Sequence, residues 1–141
     1  MKHAKLMFAA MLIVLPCLAS AQLGSNTTIK ARIPFEFVAG NKMVPAGDCV
    51  VQRATTDGMT LMIRNADANV ALLSSVDRTE AKEAAGSYAL VFDREGDQYF
   101  LRGIMLEGSR ISYRLPESKA EAELRARNVS ATEEIVLASL Q

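Results

Sequence analysis

Ser87-Tyr-Ala-Leu-Val-Phe-Asp93 and Asp97-Gln-Tyr-Phe-Leu-Arg-Gly-Ile-Met105 flank the short polar stretch Arg94-Glu95-Gly96. Both flanks are apolar and aromatic, and a glycine lies where the chain must reverse. Two extended runs joined by so short a link read as a β-hairpin. This hairpin decides the fold class, because comparable runs recur on both sides of it at close spacing.

Upstream, Ile33, Phe35 and Phe37 alternate with Arg32, Pro34 and Glu36. Period two marks a half-buried strand over 29–37. Pro34 has no N–H, so this strand, or this part of it, is expected on an edge. Turns follow at Ala39-Gly40-Asn41-Lys42 and Val44-Pro45-Ala46-Gly47. Further strands are predicted over 48–54, 59–64 and 70–76, with Asp57-Gly58 as the hairpin link between the first two. The polar stretch 77–86 reads as a helical turn or a wide loop.

Downstream, 110–115 is another strand. The character then changes: 116–127 opens with Pro116, carries its acids early and its arginines late, and predicts a helix. Asn128 can end it. In the tail, Ile135 and Leu137 alternate, which favours a closing strand over a helix. The expected fold is mainly β, an antiparallel sandwich or partly open barrel of about eight strands with one C-terminal helix. It forms a single domain over 29–141.

The N-terminus belongs to a different object. Lys2, His3 and Lys5 precede an apolar run, and Ala19-Ser20-Ala21 supplies small residues for cleavage before Gln22. Residues 1–21 therefore read as a secretory signal peptide. The run is too short for a spanning helix of about 20 residues. Pro16 before Cys17 disfavours lipidation there. Residues 22–28 are a flexible polar lead-in.

Removing the leader reshapes the composition. The whole chain has 141 residues and net charge +0; the mature chain would have 120, with fourteen Lys+Arg against sixteen Asp+Glu. It loses its only histidine and keeps one cysteine, Cys49. Without imidazole there is no Ser-His-Asp triad, Cys-His pair or histidine metal ligand. A balanced to acidic charge gives no electrostatic case for nucleic acid. No phosphate loop or dinucleotide fingerprint occurs, and no cofactor is expected.

Ile33-Pro34-Phe35-Glu36-Phe37, Gly40 and Val44-Pro45-Ala46-Gly47-Asp48 resemble the opening of a group of short exported bacterial proteins of unknown function. Gly96–Leu101 and Leu115–Leu124 match two further stretches of that group. The resemblance spans most of the mature chain. It implies export from a bacterium and assigns no activity to any residue. Cys49 stands where the group usually has an aromatic.

The candidate site residues are Cys49, Tyr99 and Tyr113. Cys49 shares alternation with Val51, so a buried structural thiol competes with an intermolecular disulfide; a reactive thiolate would have only Arg53 near it in sequence. Tyr99 and Tyr113 form a small binding platform if exposed side by side; otherwise they pack in the core. Asp93, Glu95 and Asp97 make an acidic turn that could offer calcium some oxygen ligands. A hydrolase would need a cleft in which Asp93 and Asp97 converge. Met59, Met62 and Met105 are either core filler or a soft-metal set. The helix stripes Glu117, Glu121, Arg125 and Lys119, Glu123, Arg127 read as solvated, with Ala120 and Leu124 facing the protein.

Together these features predict an exported, non-catalytic binding or structural module of the bacterial envelope, periplasmic or extracellular. Its partner would be an envelope protein or small ligand, met through an apolar patch or an unpaired edge near 33–37. A disulfide dimer through Cys49 is a further expectation. A barrel carrier of a small apolar ligand is the alternative, and it needs an enclosed cavity of a few hundred Å³. Expressed in a bacterium with its own leader, the protein recovered outside the cytoplasm should begin at Gln22, as read by intact mass. Recovery with Met1 in place would reject the leader.

Overall fold

The computed structural model describes residues 27–127 and 130–140. The expected leader over 1–21, most of the 22–28 lead-in and the helix stop at Asn128 lie outside the described residues. The hairpin forms from β8 (Ala89–Glu95) and β9 (Gln98–Met105). Glu95 pairs directly with Gln98, so the loop is Gly96-Asp97, one residue later than the polar stretch implies. Gly96 has φ 63°, a conformation that suits two-residue hairpin loops and costs glycine little.

Eleven further elements complete the described chain. They are β1 (Ile29–Ile33), β2 (Phe37–Ala39), β3 (Lys42–Val44), β4 (Gly47–Arg53), β5 (Thr60–Asn65), β6 (Val70–Ser75), β7 (Asp77–Glu80), β10 (Ile111–Arg114), α1 (Lys119–Ala126), β11 (Ala131–Leu137) and β12 (Ser139–Leu140). One sheet has the order β12-β1-β4-β5-β6; the other runs β11-β8-β9-β10-β7, with β2 also beside β9 and β3 on β2. The pairing is antiparallel except for β2 on β9, where Val38 aligns with Phe100. The protein is mainly β, a two-sheet sandwich that is not closed into a barrel, with one helix among the described residues.

The strand count exceeds the expected eight because the chain changes sheets within its extended runs. Val76 donates its N–H to Met59 in the first sheet at 2.9 Å, and the next residue, Asp77, pairs with Arg114 in the second. Ala138 donates to Tyr88 in the second sheet at 2.9 Å, and Ser139 then pairs with Lys30 in the first. Backbone donors thus stay satisfied through each corner. The stretch expected as a helical turn or loop begins as β7 for this reason.

Pro34 is the third crossing. It lies between β1, which is flanked by β12 and β4, and β2, which is flanked by β3 and β9. The expected edge near 33–37 is therefore absent: Pro34 interrupts the ladder where the chain leaves one sheet for the other, and it has no N–H to leave unpaired.

Between the sheets, Phe37 and Phe92 are fully buried with ring centroids 5.1 Å apart, and Phe35 meets Phe92 edge-on at 5.0 Å. Ile33, Ile63, Leu90, Ile104 and Leu115 complete the filling. One polar side chain is fully enclosed with them. Asn65 donates to the carbonyls of Pro45 and Ala46 and accepts from the N–H groups of Asp67 and Ala68. It ties the β3–β4 link to the β5–β6 turn. Asn65→Ala should cost about 2–3 kcal/mol, because those partners lose their bonds inside the fold. Urea unfolding measures it; a loss below about 0.5 kcal/mol would show that the ties carry no stability.

Candidate functional site

The outer face of the second sheet is built by a bulge. Val91 aligns with Gly103, but the next residue, Phe92, aligns with Leu101, so β9 carries one extra residue at Arg102. Two residues facing one reverse the local alternation. Leu101 and Ile104 can then both face the core, while Arg102 reaches partners on the outer face. Its Nε lies 3.0 Å from Asp93 Oδ2 and 3.5 Å from Glu121 Oε1.

Glu121 comes from α1. Ser118 caps this helix: its hydroxyl accepts from the Glu121 N–H, and Glu121 Oε2 accepts in return from the Ser118 N–H, a reciprocal capping box. That geometry turns Glu121 toward the sheet, where its side chain is 2% exposed. The helix was expected to rest on Ala120 and Leu124 with Glu121 in solvent. Instead Glu121 is buried, Leu124 is half-buried and Ala120 is exposed.

Beneath it lies Glu95, whose side chain is 0% exposed. The single-residue shift of the hairpin loop places Glu95 in β8, and alternation with Asp93 and Val91 directs it outward under α1. Arg125 reaches Glu95 and Glu121 at 3.6 Å each and Glu117 at 3.1 Å. Four carboxylates thus share two arginines. Both Glu95 oxygens and Glu121 Oε1 are buried without a hydrogen bond. Burial pushes the Glu121 carboxyl above the usual carboxylate range, and Glu95 and Asp93 add to this; Arg102 and the Ser118 N–H oppose it. An ionised carboxylate enclosed so poorly costs on the order of several kcal/mol.

Beside this cluster a groove of about 230 Å³ crosses the second sheet. Gly103 opens its floor: a Cβ there would lie 3.2 Å from the Tyr113 carbonyl and 3.9 Å from Val91 Cβ. Asp93 and Arg102 line one side. The other is walled by the 81–85 and 106–110 loops, held together by Ala81 to Arg110, Ala85 to Ser109 and Gly108 to Ala85 backbone bonds. Val91 and Met105 supply apolar lining, Thr79 and Ser112 a hydroxyl pair at 2.8 Å, and Arg114 a guanidinium. Arg102 and Arg110 are engaged by acids; Arg114 has no ion-pair partner among the described residues.

The predicted site residues do not assemble. Tyr113 is 8% exposed, in register with Ile104 and packed in the core. Tyr99 lies five residues from Ile104 along β9, roughly 15 Å away. It stacks on Phe35 at 3.7 Å, with the Arg94 guanidinium 5.6 Å from its ring. The two tyrosines form no shared platform. Asp93 is bound by Arg102 while Asp97 stands exposed in the hairpin loop, so these carboxylates do not converge as a hydrolase cleft requires. Met62 and Met105 belong to different sheets and make no common metal set. Among the described residues no three His, Cys, Asp or Glu side chains could hold a metal ion, and no helix is long and apolar enough to cross a membrane.

A half-open gap of about 20 Å³ lies between Ile29, Val51 and Leu61 of one sheet and Ile104 and Tyr113 of the other. That holds about one water.

In the sequence Glu95 reads as part of an acidic turn and Glu121 as part of a solvated stripe, while Arg102 and Gly103 carry no assigned role. Two local signals mark them: Ser118-x-x-Glu121 ahead of the helix, and a glycine inside a strand.

Cys49 is fully buried, between Ala31 and Asn65 in register. Burial, then Asp48 and Asp67, push its thiol up to about 11. A disulfide dimer would require β4 to open first. The folded protein should run as a monomer without reductant and react with Ellman's reagent only once unfolded. Full labelling within minutes in native buffer would reject this burial. No protein-family model matches the chain, and neither a curated protein nor a solved structure does.

Proposed function

We propose that this is an exported, non-catalytic binding module of the bacterial envelope, and that the groove across the second sheet is its ligand site. One observation carries the reading: the outer face of the second sheet holds a groove of about 230 Å³ lined by both apolar and polar side chains. Recognition sites combine apolar lining with a few placed polar groups. Val91 and Met105 supply the first, the Thr79 and Ser112 hydroxyls and Arg114 the second. The chemistry suits a small amphiphile with an apolar body and an anionic end held by Arg114.

Export remains part of this reading, supported by the leader-like N-terminus and by the resemblance noted above. The core thiol is left outside it.

Anilinonaphthalene sulfonate has this amphiphilic form and reports binding by fluorescence. It should bind the folded protein saturably, one to one. Val91→Trp, which fills the groove, and Arg114→Met, which removes the cation, should each weaken binding about tenfold or more. The same affinity in both variants, with the fold intact, would reject the groove as the site.

A further inference from the structure

The charges under α1 do not balance, and this imbalance involves the one helix among the described residues. Facing the Glu95–Glu121 pair are Glu117 and Arg125 from α1, Asp93 from β8 and Arg102 from β9. Glu133 of β11 lies opposite Asp93 in register. Carboxylates therefore outnumber arginines. Three buried oxygens of Glu95 and Glu121 have no hydrogen-bond donor. Arg125, their shared counter-charge, is half exposed and is also drawn to Glu117.

We propose that α1 is a proton-gated latch, docked on the second sheet while Glu121 carries a proton and lifted when Glu121 loses it beside the buried Glu95. A proton on Glu121 removes its repulsion with Glu95 and supplies an O–H donor among buried oxygens that otherwise have none. Its loss leaves a buried charge on Glu121 beside Glu95, with only Arg102 and the half-exposed Arg125 near it, and the one large apolar side chain of the helix, Leu124, is only half-buried. Lifting uncovers Glu95 and separates Glu121 from Arg102, which also lines the groove.

The direction of the pH effect follows from proton counting. The docked form binds more protons than the lifted form, since burial raises the Glu121 carboxyl. Docking is therefore complete in the ordinary carboxylate range and weakens as pH rises through the raised value.

Amide hydrogen exchange of the purified protein tests this. The probe is the Ala122 N–H, bonded to Ser118 inside α1 at 3.0 Å. Protection factors, corrected for intrinsic exchange, are followed from pH 5 to 8.5 beside amides of β4 and β5. Protection of α1 should fall with pH by up to about tenfold per unit, the limit for one proton, while β4 and β5 hold. Glu95→Gln and Glu121→Gln should flatten the profile; glutamine keeps the capping acceptor. Where a variant does not fold, the wild-type profile decides. The latch is overturned by a flat wild-type profile, by β4 and β5 losing protection in parallel, or by folded variants that follow the wild type.

Discussion

A pleated strand lets each side chain face one side only, and the extra residue at Arg102 resets which side that is. With strict alternation, Leu101 and Ile104 would point to opposite faces of β9. The bulge lets both enter the core and frees Arg102 for Asp93 and Glu121 outside. The filling between the sheets and the polar site upon the second sheet thus rest on one local irregularity. Gly103, beside it, leaves the floor of the groove bare where Val91 and the Tyr113 carbonyl come close.

The two faces of the second sheet follow different physics. Inside, Phe37, Phe92 and Ile104 gain from removal from water, and no geometry finer than close packing is asked of them. Outside, the helix is capped by Ser118 and Glu121 and held to the sheet by the Arg102–Glu121 and Arg125–Glu95 ion pairs, at 3.5 and 3.6 Å. Buried ion pairs contribute little net stability, because desolvation offsets much of their attraction. The sandwich is therefore the stable part, and α1 is attached to it by interactions that respond to charge.

Local chemistry made much of this legible. Gly96 marked the central hairpin, alternation with Val51 directed Cys49 inward, and acids before arginines located the helix. Long-range effects hid the rest. Pro34 showed that a ladder is interrupted, but both an edge and a crossing between sheets satisfy that constraint. Glu117, Glu121 and Arg125 at spacing four look like a solvated stripe on any isolated helix. Only Arg102, 19 residues away in sequence, supplies the sheet's counter-charge to the buried Glu121. Tyr113 and Tyr99 show the same limit: strand residues of similar character, one takes a core position and the other a partly open one, according to the register of their neighbours.

Arg102 joins the two features of the outer face. Its guanidinium lines the groove and is at the same time a counter-charge for Glu121 under α1. A ligand group that draws on Arg102 competes with Glu121, and a proton on Glu121 leaves Arg102 less committed to the helix. Linkage between two such equilibria is reciprocal. If groove occupancy changes the helix's affinity for its docked position, protonation of the helix contact must change the groove's affinity by the same factor. The irregularity that gives β9 its core register therefore also places Arg102 between the groove and the helix contact.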